Sequence, residues 1–505
     1  MEALNLLMHG VYISFSPVNL LACTVGVIIG TLVGVLPGIG PVGAIALLLP
    51  LSFNLDVTSS LIMFAGIYYG AMYGGSTTSI LLNVPGEASS VITCIDGYAM
   101  AKKGRAGAAL AVAAIGSFIA GTIGVVGLTF FAPMLANAAL VFGPPEYFAI
   151  ALLGLLILTN LTGRSMLKSA LMATVGIILG TVGLDSLTGI SRFTFNIDEL
   201  QRGVEFSIVA MGLFGISEVL DTMIRPQEKI SLQAVRFREL YPNKEEWRRS
   251  VAPIFRGGII GFLVGLLPGP SATISTFVSY AMEKKASKWP EEFGKGAIEG
   301  VAGPESANNA AASGTMIPLL SLGLPFSPAD AILLSAFMIH GIIPGPTLVT
   351  QHPDLFWGLI ASMYIGNVLL LIINLPLVGI FAYILKTPIN ILMPVVIMIT
   401  MAGAYSLNNS IFDLWLLVVF GLLGFFMKRT GYEPAPLAIG LILGPTLEIG
   451  LTQGLIIGNG DVWSLFMRPI SGAILAIGIA LILCNIARWG WKLKYGWKKA
   501  VVNNK

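Results

Sequence analysis

LVGVLPGIGP, Leu32 to Pro41, sets two prolines and three glycines inside an apolar run, and LVGLLPGPSA returns at Leu263 to Ala272. What these stretches mean depends on the medium around them. The chain has 505 residues, 55% hydrophobic and 11% charged, with a mean hydropathy of +0.84. Soluble domains carry about 25% charged residues, so this composition excludes a soluble protein. Apolar segments long enough for a ~30 Å hydrocarbon core recur along the chain, and about 10 to 12 spans are expected. An all-α integral membrane bundle follows, because a helix satisfies its own backbone in lipid. The 59 glycines and 28 prolines suit helices that pack closely or break within the membrane.

A helix built only to cross lipid gains nothing from a Pro-Gly break. Proline lacks its N–H and glycine tolerates backbone angles other residues avoid, so together they end one helix and start another. The new N-terminus exposes free N–H groups and about half a positive charge. That end holds an anion without a Lys or Arg, each of which costs about 2.5 to 3.5 kcal/mol at the bilayer centre. The carbonyls of the helix that stops suit a cation. Gly269 lies 14 residues before Glu283, only ~21 Å of helix. The second break therefore opens a half-helix. Upstream, Pro17 to Pro37 is long enough to cross and Arg256 to Pro268 is not, so re-entrant hairpins and interrupted spans both stay open.

Charge gives the topology. Arg225 to Arg256 holds eight Lys or Arg, and Arg488 to Lys505 six more. The positive-inside rule makes both cytoplasmic, the C-terminus included. Glu228, Glu239, Glu245 and Glu246 interleave with the basic loop, which reads as a solvated loop and not a nucleic-acid surface. The N-terminus has no basic n-region and reads as lacking a cleaved signal. Cys23, Cys94 and Cys484 lie far apart, as packing residues do.

GTLVGVLPG (Gly30 to Gly38) and GFLVGLLPG (Gly261 to Gly269) match at seven of nine positions. A polar turn follows each: GGSTTSILLNVPGE (Gly74 to Glu87) and SGTMIPLLSLGLPFSPAD (Ser313 to Asp330). Two related halves are expected, residues 1–250 and 251–505. LSFNLDVTSS between the first pair has no Lys or Arg, whereas EKKASKWPEEFGK between the second has four Lys. Beyond the second motif the bias reverses, with Lys102, Lys103 and Arg105 against none in PFSPADA. Opposite bias at matching positions predicts inverted repeats, whose sites lie where broken helices meet.

Ser76, Thr77, Thr78, Ser79 and Asn83 sit in one apolar neighbourhood, and Glu305, Ser306, Asn308, Asn309, Ser313 and Thr315 in another. Buried polar side chains need partners, so a cavity, ion or ligand is expected beside them. Among nearby acids, Glu87, Glu305 and Glu448 stay open between cation coupling and structural roles. Asp330 reads as a helix start, because SPAD precedes an apolar run. His340 reads as structural, ahead of a proton relay.

GVLPGIGP, GGSTTSILLNVPGE, IDGYAMAKKGRAGAAL (Ile95 to Leu110), GVAGPESANNAAASG and GYEPAPLAIGLILGPTLE (Gly431 to Glu448) resemble, in this order, the large permease subunit of the tripartite tricarboxylate transporters, the TctA type. The resemblance covers nearly the whole chain. It implies cation-driven uptake of a carboxylate across a bacterial inner membrane, with no cofactor and no enzymatic activity. It further implies a small four-span membrane subunit, a periplasmic solute-binding protein, and kinship with elevator-type transporters. Carried over by position, the substrate site is Gly38, Ile39, Gly40, Ser76, Thr77, Thr78, Gly269, Ser271, Thr273, Asn308, Asn309, Ser313 and Thr315. Gly38, Gly269 and Asn308 are the candidate Na⁺ ligands. Phe326 stands where the family more often has glycine. A homodimer is left open, and the membrane subunit does not name the carboxylate.

A trianion entering at −100 mV costs ~7 kcal/mol, at ~2.3 per charge. Symport with Na⁺, or H⁺ after it, is therefore expected. An ion channel would need repeated rings of carbonyls or charges, and an intramembrane enzyme a nucleophile–base pair; neither pattern is present. A carrier without a binding protein is the competing reading.

Overall fold

The computed structural model describes residues 2–36, 40–52, 55–83, 85–161, 165–185, 188–224, 241–384 and 389–484. The first half runs α1 (Glu2–Ser14), α2 (Pro17–Gly34), α3 (Gly40–Leu48), α4 (Val57–Leu82), α5 (Val91–Lys102) and α6 (Ala106–Ala139). It continues with α7 (Pro144–Leu161), α8 (Met166–Gly180), a two-stranded antiparallel ribbon (Gly183–Leu184 with Ser191–Arg192), α9 (Phe206–Ala210) and α10 (Ser217–Ile224). The second half runs α11 (Lys244–Gly265), α12 (Ser271–Ala286), α13 (Glu299–Leu322), α14 (Pro328–Ile339), α15 (Leu348–Gln351) and α16 (Pro353–Ile384). It ends with α17 (Ile389–Asn408), α18 (Ile411–Thr430), α19 (Pro434–Ile457), α20 (Ser464–Met467) and α21 (Pro469–Cys484). The chain is an all-α membrane protein apart from the short ribbon.

Local chemistry starts and stops these helices. Pro17 opens α2 behind the Ser16 cap, and Asn243 with Glu246 forms a capping box at the start of α11. Ser327 and Asp330 form another at α14, the helix-start role expected of Asp330. α4 and α13 both end in a left-handed residue, Asn83 at φ 60° and Gly323 at φ 70°.

The second Pro-Gly break is the tip of a helical hairpin; the first falls between α2 and α3, with residues 37–39 outside the described residues. α11 descends to a turn at residues 266–270 and α12 returns beside it, so Arg256 Nε of α11 donates to Glu283 Oε1 of α12 at 2.9 Å. At the first break, Asn19 near the start of α2 accepts from the hydroxyl of Ser59, at the start of α4, at 2.6 Å. The chain has thus returned to the level where it entered.

α2 and α11 are each held to a central helix by glycine. A Cβ on Gly26, Gly30 or Gly34 of α2 would fall on the carbonyl oxygens of Met63, Ile67 and Ala71 of α4. A Cβ on Gly257, Gly261 or Gly265 of α11 would fall on those of Gly303, Ala307 and Ala311 of α13. Small residues every fourth position let the backbones touch, and dispersion holds them where lipid supplies no hydrophobic drive.

Six helices among the described residues are long and apolar enough to cross a membrane: Pro17–Gly34, Ala106–Ala139, Phe206–Ile224, Pro353–Leu377, Ile411–Thr430 and Pro434–Ile457. Six shorter apolar helices accompany them, within α3 and its extension, α7, α8, α14, α17 and α21, so this count does not overturn the expected 10 to 12. α3 and α12 are too short to cross. α13 is buried along its whole length, so its side chains face protein, where polar residues find partners. The basic loop over 225–240 and the tail over 485–505 lie outside the described residues.

Gly257→Ala and its neighbour Gly258→Ala test the ladder. Gly257→Ala collides with the Gly303 carbonyl and costs about 1–3 kcal/mol. A Cβ on Gly258 meets its nearest atom at 3.4 Å, so the gain of about 1 kcal/mol for Ala over Gly in a helix remains. Thermal melting of the purified chain in detergent should fall for the first and hold or rise for the second.

Candidate functional site

α4 and α13 run antiparallel through the centre, bridged by side chains. Tyr69 hydrogen-bonds Ser313, and further along α4 Ser76 hydrogen-bonds Glu305, further back along α13. Thr93 of α5 contacts the other Glu305 carboxylate oxygen. One turn along α13, the Asn308 amide donates to Glu87 Oε1 at 2.9 Å, an atom that also accepts from the Ser89 hydroxyl at 2.6 Å. The Asn309 amide donates to Ser117 Oγ of α6 at 2.7 Å. The start of α3 closes on this group: a Cβ on Gly40 (φ 60°) would meet the Glu87 Cβ at 3.4 Å. Glycine at 75 and 86 admits the same turn, since a Cβ on Gly86 would strike the Cα of Gly75.

Gly40, Ser76, Thr77, Thr78, Asn308 and Asn309 thus gather around Glu87 and Glu305. Ser76 and Thr77 line a cavity of about 20 Å³ with Tyr73, Ser117 and Asn374, room for one water and not for a tricarboxylate. Thr78 donates to the Gly75 carbonyl at 3.1 Å. Gly38 and Ile39 lie outside the described residues.

The second tip forms a separate group. The Gly269 N–H donates to the Phe326 carbonyl at 2.8 Å, and the Ser271 hydroxyl is buried with no partner among the described residues. Nearby on α13, the Thr315 hydroxyl donates to Asp330 Oδ1 at 3.1 Å. Thr273 is half-buried, and its carbonyl accepts from the Thr276 hydroxyl at 2.7 Å; it is not drawn into either group. Phe326 serves this tip through its backbone, which explains how a bulky residue is accommodated in the turn.

Neither group holds a Lys or Arg among the described residues. Basic side chains are spent on ion pairs outside them, with Arg105 on Glu246, Arg249 on Glu292 and Glu299, and Arg192 on Glu448. That pairing gives Glu448 a structural role. An anion would therefore be met by hydroxyls, amides and the starts of α3 and α12. No group of three His, Cys, Asp or Glu able to hold a metal occurs among the described residues.

Thr93, Ser117 and Asp96 escaped the sequence reading. Asp96 accepts the backbone N–H groups of Gly294, Gly296 and Ala297 at 2.9, 2.7 and 3.0 Å and the Tyr280 hydroxyl at 2.8 Å. It bolts α5 to the loop that enters α13. Its signal was present: an acid inside the run VITCIDGYAM needs a buried partner.

The chain matches the Tripartite tricarboxylate transporter TctA family over residues 20–439. It is 50% identical over 483 residues to an uncharacterized 52.8 kDa protein in the TAR-I ttuC′ 3′ region of Agrobacterium vitis, covering 96% of each chain. It is 48% identical over 223 residues to an uncharacterized protein in the TAR-II ttuC′ 3′ region of the same organism, covering 44% of this chain and 92% of that one. No solved structure matches significantly.

Asp96→Ala strands three backbone N–H groups and a hydroxyl. At about 1.5–3 kcal/mol for each hydrogen bond to a charged group, the loss should exceed that of Tyr280→Phe. Hydrogen exchange at the amides of 294–297 should accelerate at least tenfold in Asp96→Ala and much less in Tyr280→Phe.

Proposed function

The chain belongs to the Tripartite tricarboxylate transporter TctA family, and from that premise we propose that it carries di- or tricarboxylate anions inward across the inner membrane of a bacterium by symport with Na⁺ or H⁺. It is a multi-pass membrane transporter and not an enzyme. The family works with a small membrane subunit and a periplasmic binding protein, which in this reading deliver the anion to the chain.

One observation carries the reading: the Gly40 tip, Glu87 and Asn308 meet beside two antiparallel central helices, with no Lys or Arg among the described residues in place to hold an anion permanently. The anion is bound by the half-helix starts and by Ser76, Thr77, Asn308 and Asn309. Asn308 Oδ1, buried and without a partner among the described residues, is an oxygen suited to Na⁺. Cation entry offsets the ~7 kcal/mol that a trianion meets at −100 mV.

The halves 1–250 and 251–505 are read as inverted repeats. Matching glycine ladders, left-handed ends at Asn83 and Gly323, and the antiparallel course of α4 and α13 support it. Re-entrant hairpins with opposed tips suit an elevator in which the hairpins and central helices move together against the long outer helices. Clustering of Lys102, Lys103, Arg105, Lys244, Lys284 and Lys285 at one end favours a cytoplasmic placement for that end, and the same rule places the C-terminus there.

The test is uptake of labelled di- and tricarboxylates into vesicles holding the membrane subunits, with the binding protein outside. Accumulation should require an inward Na⁺ or H⁺ gradient and drop at least tenfold with Asn308→Ala. Accumulation that survives collapse of both gradients would refute symport. Full uptake without the binding protein would favour the stand-alone carrier.

A further inference from the structure

We propose that Glu305 is a proton-binding site of the transport cycle, loaded and unloaded as the carboxylate binds and leaves; the inference rests on the carrier reading above. Glu305 is 1% exposed, on the fully buried helix α13. Ser76 contacts one of its oxygens and Thr93 the other. Among the described residues no Lys or Arg pairs with it. The titratable groups near enough to feel the charge of Glu305 include Tyr73 on α4, Cys94 on α5 and Glu87 on the turn between those helices. None of them is a cation. α6 carries no charged residue, while Arg256 and Arg249 of α11 are held by Glu283 of α12 and by Glu292 and Glu299.

A carboxylate so placed has only two neutral donors for its ionised form, in surroundings where an unpaired charge is costly. The hydrogen bonds are satisfied in both protonation states. When Glu305 is ionised, the Ser76 and Thr93 hydroxyls each donate to one oxygen. When a proton binds Oε2, the new Glu305 hydroxyl donates to Ser76 Oγ. The Ser76 hydroxyl then turns to the Met72 carbonyl, 3.3 Å away, and Thr93 keeps its bond to Oε1. One O–H bond forms on loading and breaks on unloading, and water supplies and removes the proton. The cavity of about 20 Å³ beside Ser76 and Ser117 has room for the single water that hands it over. Hard cations gather about six oxygens or more, and the carboxylate with two hydroxyls falls short of that.

Coupling follows from position. Asn308, one turn along α13, faces Glu87 and the Gly40 tip, where the anion is proposed to bind. An ionised Glu305 repels an incoming carboxylate and a protonated one does not. By reciprocity, the bound anion raises the proton affinity of Glu305 by the same factor.

Infrared difference spectroscopy on the full chain in lipid nanodiscs reads the site without substrate. A protonated-carboxyl band should titrate with pH and vanish in Glu305→Gln. Ser76→Ala removes a charge-assisted donor from the ionised form and only a weaker neutral acceptor from the protonated one, so the midpoint should rise by about one unit, a tenfold gain in proton affinity. In three-component vesicles, uptake by Glu305→Gln should be lowered and should no longer rise with an inward proton gradient. A band unchanged in Glu305→Gln would overturn the proposal, as would uptake by that variant that still follows the proton gradient. A response to Na⁺ with no protonated band would overturn it as well. Should Glu305→Gln fail to fold, an unchanged midpoint in Ser76→Ala overturns it alone. A titrating Glu305 band in vesicles that take up no carboxylate would keep the proton site and sink the carrier reading.

Discussion

Backbone contact through glycine is the constraint on which this structure depends. Lipid offers no hydrophobic reward for bringing two helices together. A half-helix that stops inside the bilayer also leaves N–H and C=O groups that lipid does not satisfy. α2 and α11 solve both problems by lying directly on α4 and α13, where Gly26, Gly30 and Gly34 and their counterparts Gly257, Gly261 and Gly265 leave no side chain between the backbones. Close approach brings a tip such as Gly40 to the Glu87 side chain and allows the opposite tip to hydrogen-bond the Phe326 carbonyl. Without that approach the broken ends would have no partner.

The polar centre is built on the same economy. α13 carries Glu305, Asn308, Asn309, Ser313 and Thr315, and each finds a side chain on α4, α5, α6, α14 or the turn after α4. Among the described residues no Lys or Arg joins this group, and Arg105, Arg249, Arg256 and Arg192 are paired with acids elsewhere. In the proposed reading an anion is met there by dipoles and hydroxyls.

Much of this was legible in the sequence because its signals are local. A repeated GxLVGxLPG, a hydroxyl-rich turn and a reversed loop charge each lie within a few tens of residues, and they pointed to the turn at 266–270 and to several of the polar residues gathered around Glu305. SPAD marked the start of α14 through capping chemistry alone. What the sequence hid was pairing at long range. Nothing near Thr93 or Ser117 announces Glu305 and Asn309 as partners, and Asp96 gave a hint of burial but not the loop it would grip. Hydropathy alone did not show that α13, buried along its whole length, is surrounded by protein. The choice between hairpin and interrupted span needed Arg256 and Glu283 seen side by side.

The separation between partners in the central group sets an order of assembly. Ser76 meets Glu305 across 229 positions of chain, and Asp96 meets Gly294 across 198. At about 5–20 residues per second of synthesis, α4 and α5 wait on the order of ten to fifty seconds before α13 emerges. Through that interval the serines and threonines of α4, and the carboxylates of Asp96 and Glu87, sit in a nascent half-bundle without their final partners. The first half therefore cannot satisfy these polar groups by itself and depends on the second half to complete it.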